Sequence, residues 1–296
     1  MDTLESLRNK KEGAKDLKSV VSAMKAMAGS NITQYETAVS SLEDYYQTIA
    51  LGIIGYFEAE KVVSIKDATV SGKKLEESVC AIIFGSDQGL VGQFNDEMAS
   101  FVTASLRDIP GKKELWVVGE RVQLLLSDDG FTTSKLYTVP NDINNVTPLV
   151  TEILNQSRES QKNQKTGTFY IFHNQPKPIA GFTPVMQRFL PLDSTWKNNL
   201  QKIPWPTKLP PQIAGSIKPT LVALINNYLF TSLFKACVES LASENASRLE
   251  AMQRAEKNIA DLLDDLNKKY HRLRQSSIDE ELFDVVSGFE ALKKVK

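Results

Sequence analysis

Residues 221–286 read LVALINNYLFTSLFKACVESLASENASRLEAMQRAEKNIADLLDDLNKKYHRLRQSSIDEELFDVV and contain no proline. Apolar residues recur in this arm mostly at steps of three and four, a spacing that predicts a long helix with a coiled-coil stripe. The stripe comprises Leu221, Leu224, Tyr228, Leu233, Cys237, Leu241, Leu249, Met252, Ile259, Leu262, Leu266, Tyr270, Leu273, Ile278, Leu282, Val285 and Phe289. We expect a helix from Thr220 to Ser287, supported by the favourably ordered pair Asp264 and Lys268 and stopped by Gly288.

A second stripe with the same spacing lies at the opposite end of the chain. It comprises Leu4, Leu7, Ala14, Leu17, Val21, Met24, Ala28, Ile32, Tyr35, Val39, Leu42, Tyr46, Ile49, Ile53 and Tyr56. All 12 prolines lie between Pro110 and Pro219. Because proline costs about 3 kcal/mol inside a helix, its absence from both ends permits two long helices. The N-terminal helix is expected from Thr3 to Phe57, with Asp2 or Thr3 as its cap.

The central part of the chain alternates strands with helices. Predicted strands cover Val79–Phe84, Leu115–Val118 and Thr168–Phe172, and predicted helices cover Asp96–Arg107, Glu120–Ser127 and Val146–Gln161. This order predicts a three-layer, Rossmann-like α/β domain with a mainly parallel sheet. The run Pro204 to Pro219 is expected to be an irregular connector. The predicted fold is therefore α/β, with an antiparallel coiled coil of helices at 1–60 and 218–296 and an α/β domain at 75–200.

The composition and net charge of the chain indicate a globular protein and give no reason to expect nucleic acid as a partner. The 296 residues are 42% hydrophobic and 24% charged, which is typical of a globular protein. The formal net charge of −1 gives no electrostatic reason to expect nucleic acid. No apolar run approaches the roughly 20 residues of a membrane span, and residues 1–20 lack the apolar core of a secretion signal. The two cysteines, Cys80 and Cys237, stand far apart in apolar settings and are interpreted as buried reduced thiols.

The glycine loop after the first strand is the one candidate for a nucleotide site. Its glycines stand at 85, 89 and 92, which is not the G-x-G-x-x-G spacing of a pyrophosphate turn, so a structural strand-to-helix turn is favoured. Asp87 beside Ser86 is interpreted as a cap of the following helix or turn rather than as a catalytic pair. His173 and His271 stand alone, which favours structural or surface roles. We therefore predict no catalytic residues, no metal and no cofactor.

Four segments carry a resemblance to a known family. ESLASENASRLEAM at residues 239–252 resembles the E-S-L-A-S-E-x-A-x-R-M-x-A-M signature of ATP synthase gamma subunits. YHRLRQSSI at residues 270–278 is similar to that family's Y-N-x-x-R-Q-x-x-I. SDQGLVGQFN at residues 86–95 resembles S-D-R-G-L-C-G-x-F-N, and AMKAMA at residues 23–28 resembles A-M-K-M-V-A. The order and spacing of the segments also agree, so the resemblance covers essentially the whole chain.

The resemblance implies a non-catalytic central-stalk rotor subunit of a rotary ATP synthase. In that family the coiled coil enters a hexameric head of alpha and beta subunits, and the α/β domain meets an epsilon subunit and a ring of c subunits. Rotation of the ring, driven by ion flow, cycles the catalytic beta subunits through their conformations. It implies a peripheral place on the cytoplasmic face of the bacterial inner membrane, with membrane contact only through the c-ring.

Partner-contact residues follow from the matched motifs. The resemblance places Arg248 and Gln275 at polar contacts with the head, with Asp279 beside Gln275. Met24, with its neighbours Lys25 and Met27, is placed where the shaft passes the moving lever of the beta subunit. Phe289 is placed near the apolar bearing at the top of the head.

Departures from the family pattern define a divergent bacterial branch. Gln88 stands where the family has arginine, Val91 where it has cysteine, and Asp279 where threonine is common.

Two other interpretations of the chain's function stay open at this point. One is a non-rotary scaffold or tether whose coiled coil binds another helical protein; the other is a nucleotide-dependent enzyme, which requires phosphate binding at the 85–92 loop.

Overall fold

In the computed structural model, the chain is described over residues 3–59, 78–162, 167–177, 181–200, 202–207 and 216–293. For residues 58, 59, 194, 195, 217 and 288–293 only the backbone is described. The helices are α1 (Leu4–Ala59), α2 (Phe94–Arg107), α3 (Glu120–Asp128), α4 (Val146–Lys162), α5 (Ser194–Leu200) and α6 (Ile217–Lys293). The strands are β1 (Ser78–Phe84), β2 (Lys112–Val118), β3 (Thr133–Tyr137), β4 (Thr168–Pro176) and β5 (Phe182–Leu190), and a short 3-10 helix covers Ile143–Asn145.

The two long terminal helices are confirmed, with changes at their ends. Thr3 caps α1, because its Oγ1 accepts a hydrogen bond of 3.1 Å from the backbone N–H of Ser6. The predicted start of α6 at Thr220 is wrong: the helix begins at Ile217 and includes Pro219. Proline fits there because the first four N–H groups of a helix have no partner within it. The predicted stop at Gly288 is also wrong, since the helix continues to Lys293; a glycine in a helix costs only about 1 kcal/mol.

The chain divides into two compact units, one made of Met1–Met27 with Leu249–Lys296 and the other of Ala28–Arg248. In the first unit, α1 and α6 run antiparallel. Leu7 packs in one apolar cluster with Leu266, and Val21 packs in another with Met252 and Ile259. Residue numbers therefore rise along one helix as they fall along the other. The predicted antiparallel pairing of the two chain ends is confirmed in this unit.

Burial in the first unit follows a seven-residue repeat. Leu7, Ala14 and Val21 are buried on α1, and Met252, Ile259 and Leu266 are buried on α6. Two other members of the predicted stripes, Leu17 and Leu262, are instead 53% and 49% exposed. A single partner helix covers only a narrow stripe, so the buried face of each helix is narrower than the predicted stripe. The pair Asp264 and Lys268 forms an ion pair of 2.6 Å, as predicted.

The second unit is built on a five-stranded sheet with the order β3-β2-β1-β4-β5. The pairs β2–β3, β1–β2 and β1–β4 are parallel, and β5 pairs antiparallel with β4. Alternate residues of β1 face opposite layers: Cys80 and Ile82 join a core with parts of α1, α4 and α6, whereas Ala81 and Ile83 join a core with α2 and α3. The three-layer α/β domain with a mainly parallel sheet is confirmed.

Strands β3 and β5 and helix α5 were missing from the sequence-based prediction. Both missed strands are edge strands, since β3 pairs only with β2 and β5 pairs only with β4. Pro184 lies within β5, and a proline is tolerated on an edge because it removes a backbone donor that needs no neighbour there. Edge strands are less apolar than central ones, so they lack the continuous hydrophobic run by which β1 was found.

Cys80 and Cys237 are both free and buried, as predicted, and burial raises the pKa of both thiols.

One helix, over Lys218–Ser287, contains an 18-residue window of mean hydropathy 1.4, which by length and composition alone could cross a membrane. Half of that window is buried inside the structure. A core helix gives the same pattern, so the window is weak evidence for a membrane span.

Candidate functional site

The loop after β1 uses the carboxylate of Asp87 to hold two distant segments of backbone. Its Oδ1 accepts a hydrogen bond of 3.0 Å from the N–H of Glu120, the first residue of α3. Its Oδ2 accepts a bond of 2.8 Å from the N–H of Val139. Asp87 therefore caps a helix, but not the following helix, α2, as the sequence suggested. Both carboxylate oxygens are engaged with backbone, so the structural interpretation of Asp87 is favoured over a catalytic one.

Two glycines allow this loop and the end of β2 to approach closely. A Cβ at Gly85 would lie 2.2 Å from Cγ1 of Val122, and a Cβ at Gly119 would lie 2.8 Å from the backbone N of Ser86. Gly119 also has a φ of 110°, a backbone conformation that is strained for residues with a Cβ. Packing of the chain on itself therefore requires glycine at positions 85 and 119 and accounts for these two residues without a bound phosphate.

Arg248 lies on α6 beside a buried acid. Its Nη2 donates a hydrogen bond of 2.6 Å to Oε1 of Glu244, and the two side chains are only 12% and 7% exposed. Burial raises the pKa of Glu244, and the nearby Arg248 guanidinium opposes that rise. Next to this pair, Ser247 Oγ donates a hydrogen bond of 2.5 Å to the carbonyl of Val91. The signature segment of α6 is thus bound to the glycine loop, and Arg248 has an internal partner.

Tyr35 on α1 belongs to the same buried region. It is 2% exposed, and burial, with a smaller contribution from the Glu244 carboxylate, raises its pKa to about 12. One turn earlier, Asn31 Nδ2 donates a hydrogen bond of 3.4 Å to Oδ1 of Asn245. Polar side chains therefore interrupt the apolar contact of α1 with α6 in the second unit.

The N-terminal contact candidates differ in how accessible they are. Met24 is partly buried and packs on the cluster around Val21 and Met252. Lys25 donates from Nζ to Oε2 of Glu256 at 2.5 Å, which lowers the pKa of that glutamate. Met27 is 67% exposed. Met27 is thus the freest of the three, whereas Met24 and Lys25 also join α1 to α6.

The C-terminal contact candidates lie on exposed helix. Gln275 and Asp279 are both exposed and stand one helical turn apart, so they share a face of α6. The apolar residues that follow, such as Leu282 and Val285, are 60% and 73% exposed rather than buried as the stripe predicted. The side chain of Phe289 lies outside the described residues.

A buried pair that the sequence analysis missed joins β4 to α6. His173 Nε2 lies 2.9 Å from Oε2 of Glu239, and both side chains are less than one-tenth exposed. His173 looked solitary in the sequence, because its partner Glu239 lies 66 positions later in the chain. Across the described residues, no group of three or more His, Cys, Asp or Glu side chains is placed to hold a metal ion.

A family model described as ATP synthase matches residues 3–292, which is nearly the whole chain. The chain belongs to the ATP synthase gamma-chain family. The resemblance seen in the four sequence motifs is therefore confirmed over nearly the whole chain. This gamma-family chain is similar to the ATP synthase gamma chain of Aquifex aeolicus, with 26% identity over 293 residues and 97% of each chain covered. It is 28% identical to the gamma chain of Clostridium perfringens strain 13, covering 98% of this chain and 96% of that one.

Solved structures carry the same fold. A chain of the Euglena gracilis mitochondrial ATP synthase (OSCP/F1/c-ring, rotational state 3) matches with a TM-score of 0.62 and 15% identity, over 98% of this chain and 94% of that one. A chain from the Tetrahymena thermophila mitochondrial ATP synthase central stalk and c-ring matches with a TM-score of 0.56 and 20% identity, over 80% of this chain and 99% of that one. At these identities the likeness is one of fold.

Proposed function

We propose that this chain is the central-stalk rotor subunit of a rotary ATP synthase and that it carries torque without catalysing a reaction itself. The observation that carries the proposal is the match of the family model across residues 3–292. The structure agrees with this role, since its two longest elements are the helices of the chain ends, with 56 and 77 residues. Membership of the gamma-chain family leaves the tether interpretation without a specific observation in its favour.

The rotor acts by imposing conformations on its partners. A shaft that presents different surfaces to three beta subunits stabilises a different state of each, and rotation exchanges those states in turn. Coupling then depends on contact surfaces that bind one conformation of a site more tightly than another. The c-ring turns the shaft, and the alpha–beta head, the epsilon subunit and the c-ring are its partners.

We propose Gln275, Asp279 and Met27 as direct contacts with the head, because all three are exposed on the terminal helices. Met24 and Lys25 are proposed to lie at the same contact while also joining α1 to α6. Exposed apolar residues such as Leu282 and Val285 support an apolar bearing near the C-terminus. Phe289 is proposed to belong to that bearing.

Arg248 is a proposed contact whose side chain is largely buried. It is 12% exposed and bonded to Glu244, so its substitution acts on the fold as well as on the partner. Separating these effects requires a measurement on the free chain beside one on the assembled complex.

The proposed cellular site is the cytoplasmic face of a bacterial inner membrane, with membrane association only through the c-ring. We also propose that residues 1–60 and 218–296 form the shaft and that residues 75–200 form the α/β domain. The proline distribution supports this division, since residues 1–60 contain no proline and residues 218–296 contain only Pro219, close to their start.

The experiment is co-expression of the tagged full chain with the alpha and beta subunits of the same genome, followed by affinity capture and an ATPase assay. We expect a complex whose ATP hydrolysis requires this chain, and rotation of a bead attached to the α/β domain during hydrolysis. A matched control omits the chain but keeps both head subunits. Failure to retain alpha and beta subunits, with the chain itself folded, would contradict the rotor role.

A further inference from the structure

Three lysines of α1 lie on one flank of the helix, beside the buried seam of the first unit. Lys11, Lys18 and Lys25 are spaced by seven residues, and all three are half-buried, whereas Lys10 and Lys15 are exposed. Residues seven apart lie on the same side of a helix that packs in a coiled coil. The three half-buried lysines therefore follow the contact of α1 with α6.

Specific groups on α6 meet two of these lysines. Lys25 Nζ donates a hydrogen bond of 2.5 Å to Oε2 of Glu256, and the two side chains are 35% and 29% exposed. Lys11 Nζ lies 5.2 Å from the ring centroid of Tyr270, within the range of a cation–π contact. The hydrogen bond from Lys25 lowers the pKa of Glu256, and the charge of Lys18 adds a smaller effect in the same direction. Groups of the chain itself thus attract the charges of this flank.

The opposite flank of α1 is apolar and is left uncovered by α6. It consists of Leu17, Val20 and Met27, whose side chains are 53%, 56% and 67% exposed. Spacings of three and seven residues place them on one side of the helix. Met27 stands two residues after Lys25, which turns it by about 200° around the helix axis from that lysine. The shaft therefore has a charged flank directed at α6 and an apolar flank open to a partner.

We propose that Glu256 is a positioning residue for the shaft contact: it holds the Lys25 ammonium against α6, so that the shaft meets the head through the apolar flank of α1. This role of Glu256 rests on the proposed rotor function and adds the chemistry of the partner surface. Apolar side chains gain free energy when apolar groups of a partner remove them from water. The part of the head that meets this flank is therefore itself apolar.

Loss of Glu256 would leave the Lys25 ammonium at the contact without an opposite charge. Removing one member of an interfacial charge pair weakens binding largely because the other charge is left unpaired where water is excluded. In the free chain the same pair is partly exposed, so its own contribution to folding is small. Substitution of Glu256 should therefore weaken binding to the head while the free chain stays folded.

The test is a double-mutant cycle in the full chain, measured as its affinity for the reconstituted alpha–beta head of the same genome. Glu256→Gln should raise the dissociation constant about fivefold, the upper end of what a partly exposed ion pair contributes. Lys25→Met should also weaken binding, because it leaves the Glu256 carboxylate without its hydrogen-bond donor. The double variant has neither charge, so it should bind nearly as tightly as the unmodified chain. Circular dichroism checks that every variant is folded.

Glu250→Gln is the matched control. Glu250 pairs with Arg254 one turn later on α6, where both side chains are more than half exposed, so loss of this negative charge should leave the affinity unchanged. Equal weakening by Glu250→Gln would show a general effect of charge. Tighter binding by Glu256→Gln would show that Lys25 itself binds an acid of the head.

Either of those results overturns the positioning role, as does an unchanged affinity in Glu256→Gln or a double variant that binds no more tightly than the single ones. In all four cases the unmodified chain still binds the head, so the rotor function stands. Failure of the folded, unmodified chain to bind the head would contradict the rotor function itself, and the positioning role with it.

Discussion

Arg248 donates a hydrogen bond of 2.6 Å to Glu244, one turn earlier on α6, and both side chains are almost completely buried. Burial of the carboxylate opposes its ionisation, whereas the neighbouring guanidinium favours it. The first effect is the larger, because the pKa of Glu244 is raised. This pair sits within the segment that most strongly marks the family, so the signature residues here maintain the fold as well as any contact with a partner.

The pKa of Glu244 should respond in opposite directions to two substitutions. Arg248→Ala removes the positive charge that lowers it, so the pKa should rise further. Asp87→Asn removes a negative charge that raises it, so the pKa should fall. Side-chain carboxyl titration by NMR measures both changes. Lys25→Ala is the control: it should raise the pKa of Glu256, which Lys25 lowers by a hydrogen bond, without moving Glu244.

The raised pKa of Glu244 also predicts a dependence of stability on pH. Between the unfolded and folded pKa values, the folded chain binds more protons at this site than the unfolded chain. The contribution of Glu244 to the free energy of unfolding is therefore full below the ordinary glutamate value, about 4.3, and is lost as the pH rises through the folded pKa. Urea unfolding of the unmodified chain and of Glu244→Gln over that range should show this trend only in the former. Parallel pH profiles for the two proteins would rule it out.

Gly85→Ala should destabilise the α/β domain, because the added methyl group would overlap Val122. Overpacking of this kind costs about 1–3 kcal/mol in the free energy of unfolding. Combining it with Val122→Ala should cost less than the sum of the single changes, since the second substitution removes the Cγ1 atom at 2.2 Å and leaves, of that side chain, only the Cβ contact at 2.6 Å. Gly13→Ala is the matched control: nothing lies within 4 Å of its Cβ position, and alanine should stabilise that helix by about 1 kcal/mol.

Asp87→Ala should lower the free energy of unfolding by at least the roughly 1 kcal/mol of a helix cap. The reason is that it removes the acceptors for the N–H groups of both Glu120 and Val139. Chemical denaturation followed by circular dichroism measures the loss. Asp108→Ala, at an exposed aspartate after α2, should change stability by less than about 0.5 kcal/mol. Equal effects of the two substitutions would show that the capping bonds contribute little.

Gln275→Ala should weaken the dependence of ATP hydrolysis on the assembled rotor while leaving the free chain as stable as before, because the side chain is exposed. Arg248→Ala should weaken coupling or assembly and also destabilise the free chain, because it leaves a buried acid without its partner. ATPase assays of the reconstituted complex and urea unfolding of the free chain separate the two effects. Ser100→Ala, exposed on α2, is the control for both. Unchanged coupling in Gln275→Ala would remove that residue from the proposed contacts.

The sequence by itself determined the two long helices at the chain termini, three central strands and three central helices in their order, and the family. Helices were predictable because their hydrogen bonds and side-chain stripes join residues only a few positions apart. The same local rules located β1, β2 and β4, whose long apolar runs belong to the interior of the sheet.

Only the tertiary structure decided which distant groups meet. It brought Asp87 to Val139, 52 positions away, and His173 to Glu239, 66 positions away. It also decided that Leu17 is exposed although it lies on the predicted stripe. Such contacts depend on how the elements are arranged in space, and no periodicity along the chain records that arrangement. The sequence motif therefore identified Arg248 as a candidate contact, but only the packed structure shows that Arg248 is buried beside Glu244.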